Sequence, residues 1–310
     1  MARIVVCEFM DEDAVAAMRK AHDVLYEPDL VDRPADLARH VAGARALIVR
    51  NRTQVRGDLL AAAGELRCVG RLGVGLDNID VAACEARGVA VYPATGANNA
   101  SVAEYVVATA MMLLRGAYRA TDEMVAGGWP RNRLMGREIA GKQLGLVGFG
   151  AIARETAARA EALGMRVAGF DPHLPADHPA WERAERLSLE DILATSDVVS
   201  LHVPLTAETR NLIDAVAIGR MKPDAILVNA ARGGVVDEPA LAAALRAGRI
   251  GGAALDVFET EPLKGDAAAV FRDVPNLVLT PHIAGVTVES NVRVSWMIAE
   301  VVGKHLSGDA

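Results

Sequence analysis

Leu144-Gly145-Leu146-Val147-Gly148-Phe149-Gly150-Ala151-Ile152-Ala153 is the stretch that decides how this chain is read. An apolar run turns sharply at paired glycines and opens into an alanine-rich segment, residues 154–163, with helical character. Gly148 permits the tight turn, Gly150 lets backbone approach a pyrophosphate, and Ala153 supplies the small third position needed for helix–strand packing. The helix start at Ala151 and Ile152 offers N–H groups and partial positive charge to phosphates. That spacing alone is weak, because glycines also mark plain turns. The next apolar run, residues 166–171, ends on Asp171. An acid about 20 residues past the glycines is placed for a ribose 2′-hydroxyl. It would accept hydrogen bonds from that hydroxyl and repel a 2′-phosphate. No arginine follows closely, so the pattern predicts NAD rather than NADP. Asp171 before Pro172 also fits a turn cap, and both readings stand open here.

Working outward, the alternation of strand and helix is regular. Strands are expected at residues 143–148, 166–171, 198–203, 225–230, 253–258 and 277–280, which suits a Rossmann-type doubly wound parallel sheet. Residues 4–9, 46–50, 68–72 and 89–92 read as strands of a smaller, flavodoxin-like α/β domain, with helical spacing at 11–22 and 35–42. Residues 101–118 form a longer helix, with Ser101 and Glu104 matching a capping box. Val106, Val107, Met111, Met112, Leu113 and Leu114 make it apolar over much of its surface. It is read either as a connector supplying subunit contacts or as a core helix. Residues 288–306 look helical and are expected to pack back on the first domain. The α/β fold then has a substrate-binding domain of residues 1–97 and 286–310, an NAD-binding domain of residues 98–285, and a cleft between them.

The bulk properties agree with this division. A chain of 310 residues suits two domains at roughly 150 residues each. With 52% hydrophobic and only 4% aromatic residues, it has the make-up of buried parallel strands under alanine-rich helices. The formal charge of -7 predicts no nucleic-acid partner. Cys7, Cys68 and Cys84 lack CxxC spacing and sit in apolar surroundings, as reduced buried thiols do. The chain opens directly on a strand without a signal region, and no apolar run nears the ~18 residues of a membrane span. The expectation is a cytoplasmic enzyme with no membrane partner and no metal site.

Three ionisable residues stand at the ends of strands, where open α/β sheets bind ligands. Arg232 follows residues 226–231, Glu261 lies just past residues 256–259, and His282 follows the strand ending at Thr280. Reducing a keto acid needs a cation for the carboxylate and carbonyl and a proton donor active near neutral pH. Arginine offers a bidentate fork, and histidine titrates in that range. A carboxylate beside the histidine would fix its orientation. Each residue alone has a bland reading as a satisfied structural group or loop charge; their shared placement is what singles them out.

Several motifs, in order, resemble the D-isomer-specific 2-hydroxyacid dehydrogenases over almost the whole chain. They are residues 72–80, the 148–153 turn, His202-Val203-Pro204-Leu205-Thr206 with Thr209, Asn229-Ala230-Ala231-Arg232-Gly233, residues 254–259 with Glu261-Pro262, and Thr280-Pro281-His282. The resemblance implies His282 as acid/base, Glu261 as its partner, and Arg232 as substrate-binding cation. It implies that backbone amides at Leu72, Gly73, Val74 and Gly75 hold the substrate carboxylate. It places His202, Val203, Pro204, Thr209, Ala230, Ala231, Arg232, Asp256, His282 and Gly285 around NAD, with Asp256 toward the nicotinamide carboxamide. It also implies a homodimer formed around the long helix.

Within the family, Arg50-Asn51-Arg52-Thr53 and residues 71–80 most resemble phosphoglycerate dehydrogenases, and sulfolactate dehydrogenases are similar too. Arg50, Arg131 and Arg133, with Arg52, are read either as a clamp for a second substrate anion or as solvated surface arginines. Two departures from phosphoglycerate dehydrogenases are expected to matter: the chain ends at Ala310 without their C-terminal regulatory domain, and residues 93–100 differ. The substrate is thus expected to be a small dianionic 2-hydroxy acid. A general hydroxypyruvate or glyoxylate reductase and an NAD-sensing, corepressor-like interaction protein remain as other readings.

Overall fold

The structure, a computed structural model, describes residues 3–308. The chain divides into two compact units, Met1–Asn98 with Val286–Ala310, and Asn99–Gly285.

The first unit holds five parallel strands: β1 (Arg3–Val6), β2 (Asp23–Tyr26), β3 (Ala46–Val49), β4 (Cys68–Arg71) and β5 (Ala90–Pro93). Their order is β2-β1-β3-β4-β5, the flavodoxin-like order. Both sheet faces are covered, so the strands read as continuous apolar runs rather than alternating ones. Ile4, Val6, Ala46 and Ile48 face Val15 and Met18 of helix Glu12–Arg19 and Val294, Ile298 and Val302 of helix Val288–Ser307. Val5, Leu47, Val49 and Val69 face Leu37 and Val41 of helix Pro34–Val41. Gly70 is needed on β4, since a Cβ there would lie 2.5 Å from the Ile298 side chain. The sequence reading missed β2. Only Val24 is buried in its four residues, and it sits at the sheet edge, so no strong apolar signal marks it.

The second unit holds seven parallel strands: β6 (Gln143–Val147), β7 (Arg166–Phe170), β8 (Glu185–Arg186), β9 (Val198–Leu201), β10 (Ile226–Asn229), β11 (Gly252–Leu255) and β12 (Leu277–Leu279). The order is β12-β11-β10-β9-β6-β7-β8, which reverses between β6 and β9. That is the doubly wound arrangement, and ligands bind such sheets beyond the carboxyl ends of the strands near the reversal. The extra strand β8 is an exposed two-residue edge, too short for any period to reveal.

The long helix runs Asn99–Arg115, so Ser101 lies buried inside its first turn and does not cap it as expected. One face is core: Val106, Ala110 and Leu114 pack with Leu144 and Leu146 of β6. Met111 on another face is exposed. Among the described residues, no helix is long and apolar enough to cross a membrane. All three cysteines are buried and unpaired, and burial pushes the Cys7 and Cys68 thiols up to about 12.

Candidate active site

The β6 turn has the geometry its glycines require. Gly148 has φ 87°, its N–H donates to the Phe170 carbonyl at 2.7 Å, and a Cβ there would lie 2.6 Å from the His202 carbonyl oxygen. Gly150 precedes helix Ala151–Ala162, and nothing lies within 4 Å of where its Cβ would be. The first helical bond joins the Arg154 N–H to the Gly150 carbonyl, which leaves the amides of Ala151 and Ile152 without helical acceptors. Ala153 is fully buried against the sheet. At the end of β7, Asp171 caps the turn: Oδ2 accepts from the Phe149 N–H and Oδ1 from the His173 N–H, each at 2.9 Å. Each oxygen keeps a lone pair for a further donor. Open helix-start amides, a glycine with free space above it and a carboxylate one strand away fit a dinucleotide.

Beyond β9, the His202 N–H donates to the Val147 carbonyl at 2.7 Å. The ring Nε2 lies 2.9 Å from Ser200 Oγ, and burial pushes the imidazole down to about 4, so it is neutral near pH 7. Thr209 folds the following loop, donating to the Pro204 carbonyl at 2.6 Å and accepting from the Thr206 N–H at 2.8 Å. This sets the course of Val203 and Pro204.

The three ionisable residues come from adjacent strand ends. Asn229, 1% exposed at the end of β10, donates to the Arg232 carbonyl at 2.9 Å and accepts from the Ala231 N–H at 3.1 Å. It thereby shapes Ala230-Ala231-Arg232, where Arg232 Nη1 donates to the Ala231 carbonyl at 2.6 Å. A Cβ on Gly233 would fall 1.8 Å from the Phe258 carbonyl oxygen, so the β10 and β11 loops touch backbone to backbone. In the β11 loop, Glu261 Oε1 accepts from the Phe258 N–H at 3.1 Å, and Oε2 lies 2.8 Å from His282 Nδ1. Burial pushes the Glu261 carboxyl up, but the His282 hydrogen bond and charge, the Phe258 N–H and the Arg232 charge hold it below its usual range.

His282 sits in left-handed backbone at φ 56°, an uncommon conformation for a residue with a side chain. Its N–H donates to the Asp256 carbonyl at 2.8 Å. The Asp256 carboxylate, 1% exposed, accepts from Thr280 Oγ1 at 2.6 Å and from the Ile283 and Ala284 amides at 2.8 Å each. Thr280 in turn meets the Tyr105 hydroxyl at 2.7 Å. Asp256 therefore braces the loop from Thr280 to Gly285 that carries His282. The sequence reading missed the roles of Asn229, Thr280 and Tyr105. A polar residue ending an apolar strand could have marked Asn229, but nothing local marks Tyr105.

In the first unit, the Leu72 N–H donates to the Val49 carbonyl and the Gly73 N–H to the Arg71 carbonyl, both at 2.8 Å. The amides of Val74 and Gly75 have no acceptor among the described residues. Half-buried Arg50 donates to the Phe9 carbonyl and to Asn291 Oδ1, and lies 5.6 Å from the centroid of the Phe9 ring. Arg52 pairs with Asp32. In the second unit, Arg133 pairs with Glu123, while Arg131 is exposed.

Residues 107–284 match the family model described as D-isomer specific 2-hydroxyacid dehydrogenase, NAD binding domain. The chain belongs to that family. This dehydrogenase is an NAD-dependent oxidoreductase of 2-hydroxy acids. It is 55% identical over 309 residues to the (S)-sulfolactate dehydrogenase of Chromohalobacter salexigens, covering 99% of both chains. It is 39% identical over 306 residues to the D-3-phosphoglycerate dehydrogenase of Archaeoglobus fulgidus, covering 99% of this chain and 58% of that one. A glyoxylate reductase structure from Paecilomyes thermophila superposes with a TM-score of 0.86 at 27% identity, covering 98% of this dehydrogenase and 95% of that chain.

Proposed function

We propose that the dehydrogenase acts on a short 2-hydroxy acid bearing a second anion on C3, with sulfolactate as the leading candidate. The observation that carries this is Arg50, a half-buried guanidinium that donates to the neutral oxygens of Phe9 and Asn291 and has no carboxylate in ion-pair range among the described residues. A cation kept from water and left without a counter-ion favours an anionic ligand. The 55% likeness to a sulfolactate dehydrogenase supports a sulfonate. The (S) label of that relative agrees with a D-specific family. In sulfolactate the sulfur-bearing C3 outranks the carboxylate, so the arrangement called D in lactate is named S.

The residues then divide the work. The free amides of Val74 and Gly75 hold the C1 carboxylate, and Arg50 holds the second anion. Arg232 draws the C2 oxygen and steadies charge developing there. NAD supplies the hydride acceptor in one direction and, once reduced, the hydride donor in the other. Glu261 accepts a hydrogen bond from the Nδ1–H of His282, which leaves Nε2 to take the C2 hydroxyl proton during oxidation and return it during reduction. Amides at Ala151 and Ile152 receive the pyrophosphate and Asp171 a ribose hydroxyl. Assembly is proposed as a homodimer through the segment carrying Tyr118, Val125, Trp129 and Met135, which are 70–84% exposed. Light scattering at two concentrations tests it, and a monomer at both rejects it.

The deciding assay follows NAD reduction with 3-sulfolactate, 3-phosphoglycerate, glycerate and lactate. A kcat/KM for a dianion at least about tenfold above the monoanions, some 1.4 kcal/mol, is the expected result. Equal use of glycerate and lactate would make this a general hydroxy-acid enzyme. Tight NADH binding with no turnover of any acid would favour an interaction protein.

A further inference from the structure

Glu8 follows β1 and is 4% exposed, yet it lies outside the catalytic set. Its carboxylate has no cationic side-chain partner within ion-pair range among the described residues; it is satisfied by three backbone donors from one loop. Oε1 accepts from the Arg50 N–H at 2.9 Å and the Thr53 N–H at 3.0 Å, and Oε2 accepts from the Arg52 N–H at 3.2 Å. Asn78, 5% exposed, holds the same loop by its carbonyls, with Nδ2 donating to the Arg50 oxygen at 3.0 Å and the Thr53 oxygen at 2.7 Å. Three N–H groups and two carbonyls of residues 50–53 are thus gathered between two buried side chains.

A buried carboxylate without a counter-ion is costly unless its hydrogen bonds are met, and one that only clasps a loop need not be charged. Here the clasp has a further use. Glu8 takes up the backbone side of the loop, so the Arg50 guanidinium is not consumed in an ion pair. That guanidinium is then steadied by the Phe9 carbonyl and ring and by Asn291. The result is a cation fixed in place, with Glu8 acting on its charge at a distance but no carboxylate in ion-pair contact, which leaves it able to meet a rigid anion directly.

We propose that Glu8, with Asn78, is a positioning residue for the second anion of the substrate and sets the preference for dianionic over monoanionic 2-hydroxy acids. The inference rests on the reading of Arg50 given above. Glu8→Gln keeps the size but turns an NH2 group toward a backbone N–H, which disrupts the clasp.

The test measures kcat and KM for 3-sulfolactate and for glycerate in the wild type, Glu8→Gln and Asn78→Ala, with NADH affinity alongside. Both variants should raise KM for sulfolactate on the order of tenfold, and leave KM for glycerate and both kcat values within about twofold. Asn78→Ala buries no altered charge and serves if Glu8→Gln fails to fold. Equal effects on both substrates, or none on either, would show that Glu8 only packs the loop. A wild type indifferent between the two acids would overturn the dianion reading itself, and the role of Glu8 with it; a wild type that prefers sulfolactate with unchanged variants overturns only the role of Glu8.

Discussion

His282 Nδ1 lies 2.8 Å from Glu261 Oε2 although the residues are 21 apart, because adjacent strand ends bring their loops together. The contact fixes which ring nitrogen faces outward. Replacing Glu261 by Gln keeps an acceptor for the Phe258 N–H but permits the wrong ring orientation. Turnover should fall about 10²-fold while NADH binding, read by fluorescence, stays unchanged. The pair also has a pH signature. The Glu261 carboxyl is held below its usual range, so its contribution to stability is present above that range and lost as pH falls through the lowered value. The stability gap between wild type and Glu261→Gln should therefore close on acidification below about pH 4. A constant gap would mean that the pair does not form in solution.

His202 makes a second acid-dependent prediction. Its imidazole stays neutral in the fold, pushed down to about 4 from an ordinary 6.5. The unfolded chain binds the proton first, so stability is full above the ordinary value and lost as pH falls from there toward 4. The loss attributable to this group reaches ~3 kcal/mol at 1.4 kcal/mol per unit. His202→Asn, whatever it costs at pH 8, should show a shallower decline between pH 6.5 and 4 in urea unfolding. An identical slope would place the acid sensitivity elsewhere.

How much could be read in advance follows from how local each signal is. The β6 turn was legible because a tight turn and a phosphate approach select glycine within six consecutive residues. The strands 198–203 and 225–230 were legible because burial on both faces makes them mostly apolar, with the buried polar Ser200 and Asn229 held by hydrogen bonds. What stayed hidden is non-local. Glu8 meets partners 42 to 45 positions away, and Tyr105 meets Thr280 across 175, so no spacing rule connects them. Edge strands β2 and β8 were missed for the opposite reason: they bury too little to leave a pattern. The arginines divide the same way. Their presence was plain, but that Arg52 pairs with Asp32 and Arg133 with Glu123 depends on folded neighbours.

Asp171 performs a turn-capping role through the Phe149 and His173 amides, and a ribose role would add to it. Asp171→Ala separates the two. Loss of the cap alone would weaken NADH and NADPH binding alike. Removal of a ribose acceptor that also repels a 2′-phosphate should weaken NADH about 10- to 100-fold, the worth of a charged hydrogen bond, and improve NADPH relative to it. Titration of both cofactors by fluorescence gives the ratio. A parallel loss leaves Asp171 as a turn cap only.

Two glycines of this enzyme should respond oppositely to the same methyl group. At Gly233 a Cβ would fall 1.8 Å from the Phe258 carbonyl oxygen, a contact that can be relieved only by moving backbone. Because that contact joins the loop bearing Arg232 to the loop bearing Glu261, Gly233→Ala should lower stability by ~2 kcal/mol or more and displace both charges. At Gly150 the added methyl meets nothing within 4 Å, and φ is -74°, which alanine adopts freely. Gly150→Ala should unfold at the wild-type temperature or above it. Its methyl nevertheless projects where a pyrophosphate would approach the helix start, so NADH affinity should drop about tenfold or more. Thermal melts and NADH titrations of both variants measure the contrast. Unimpaired NADH binding by Gly150→Ala would place the pyrophosphate away from this turn, and a fully stable Gly233→Ala would mean that the two loops are not in contact.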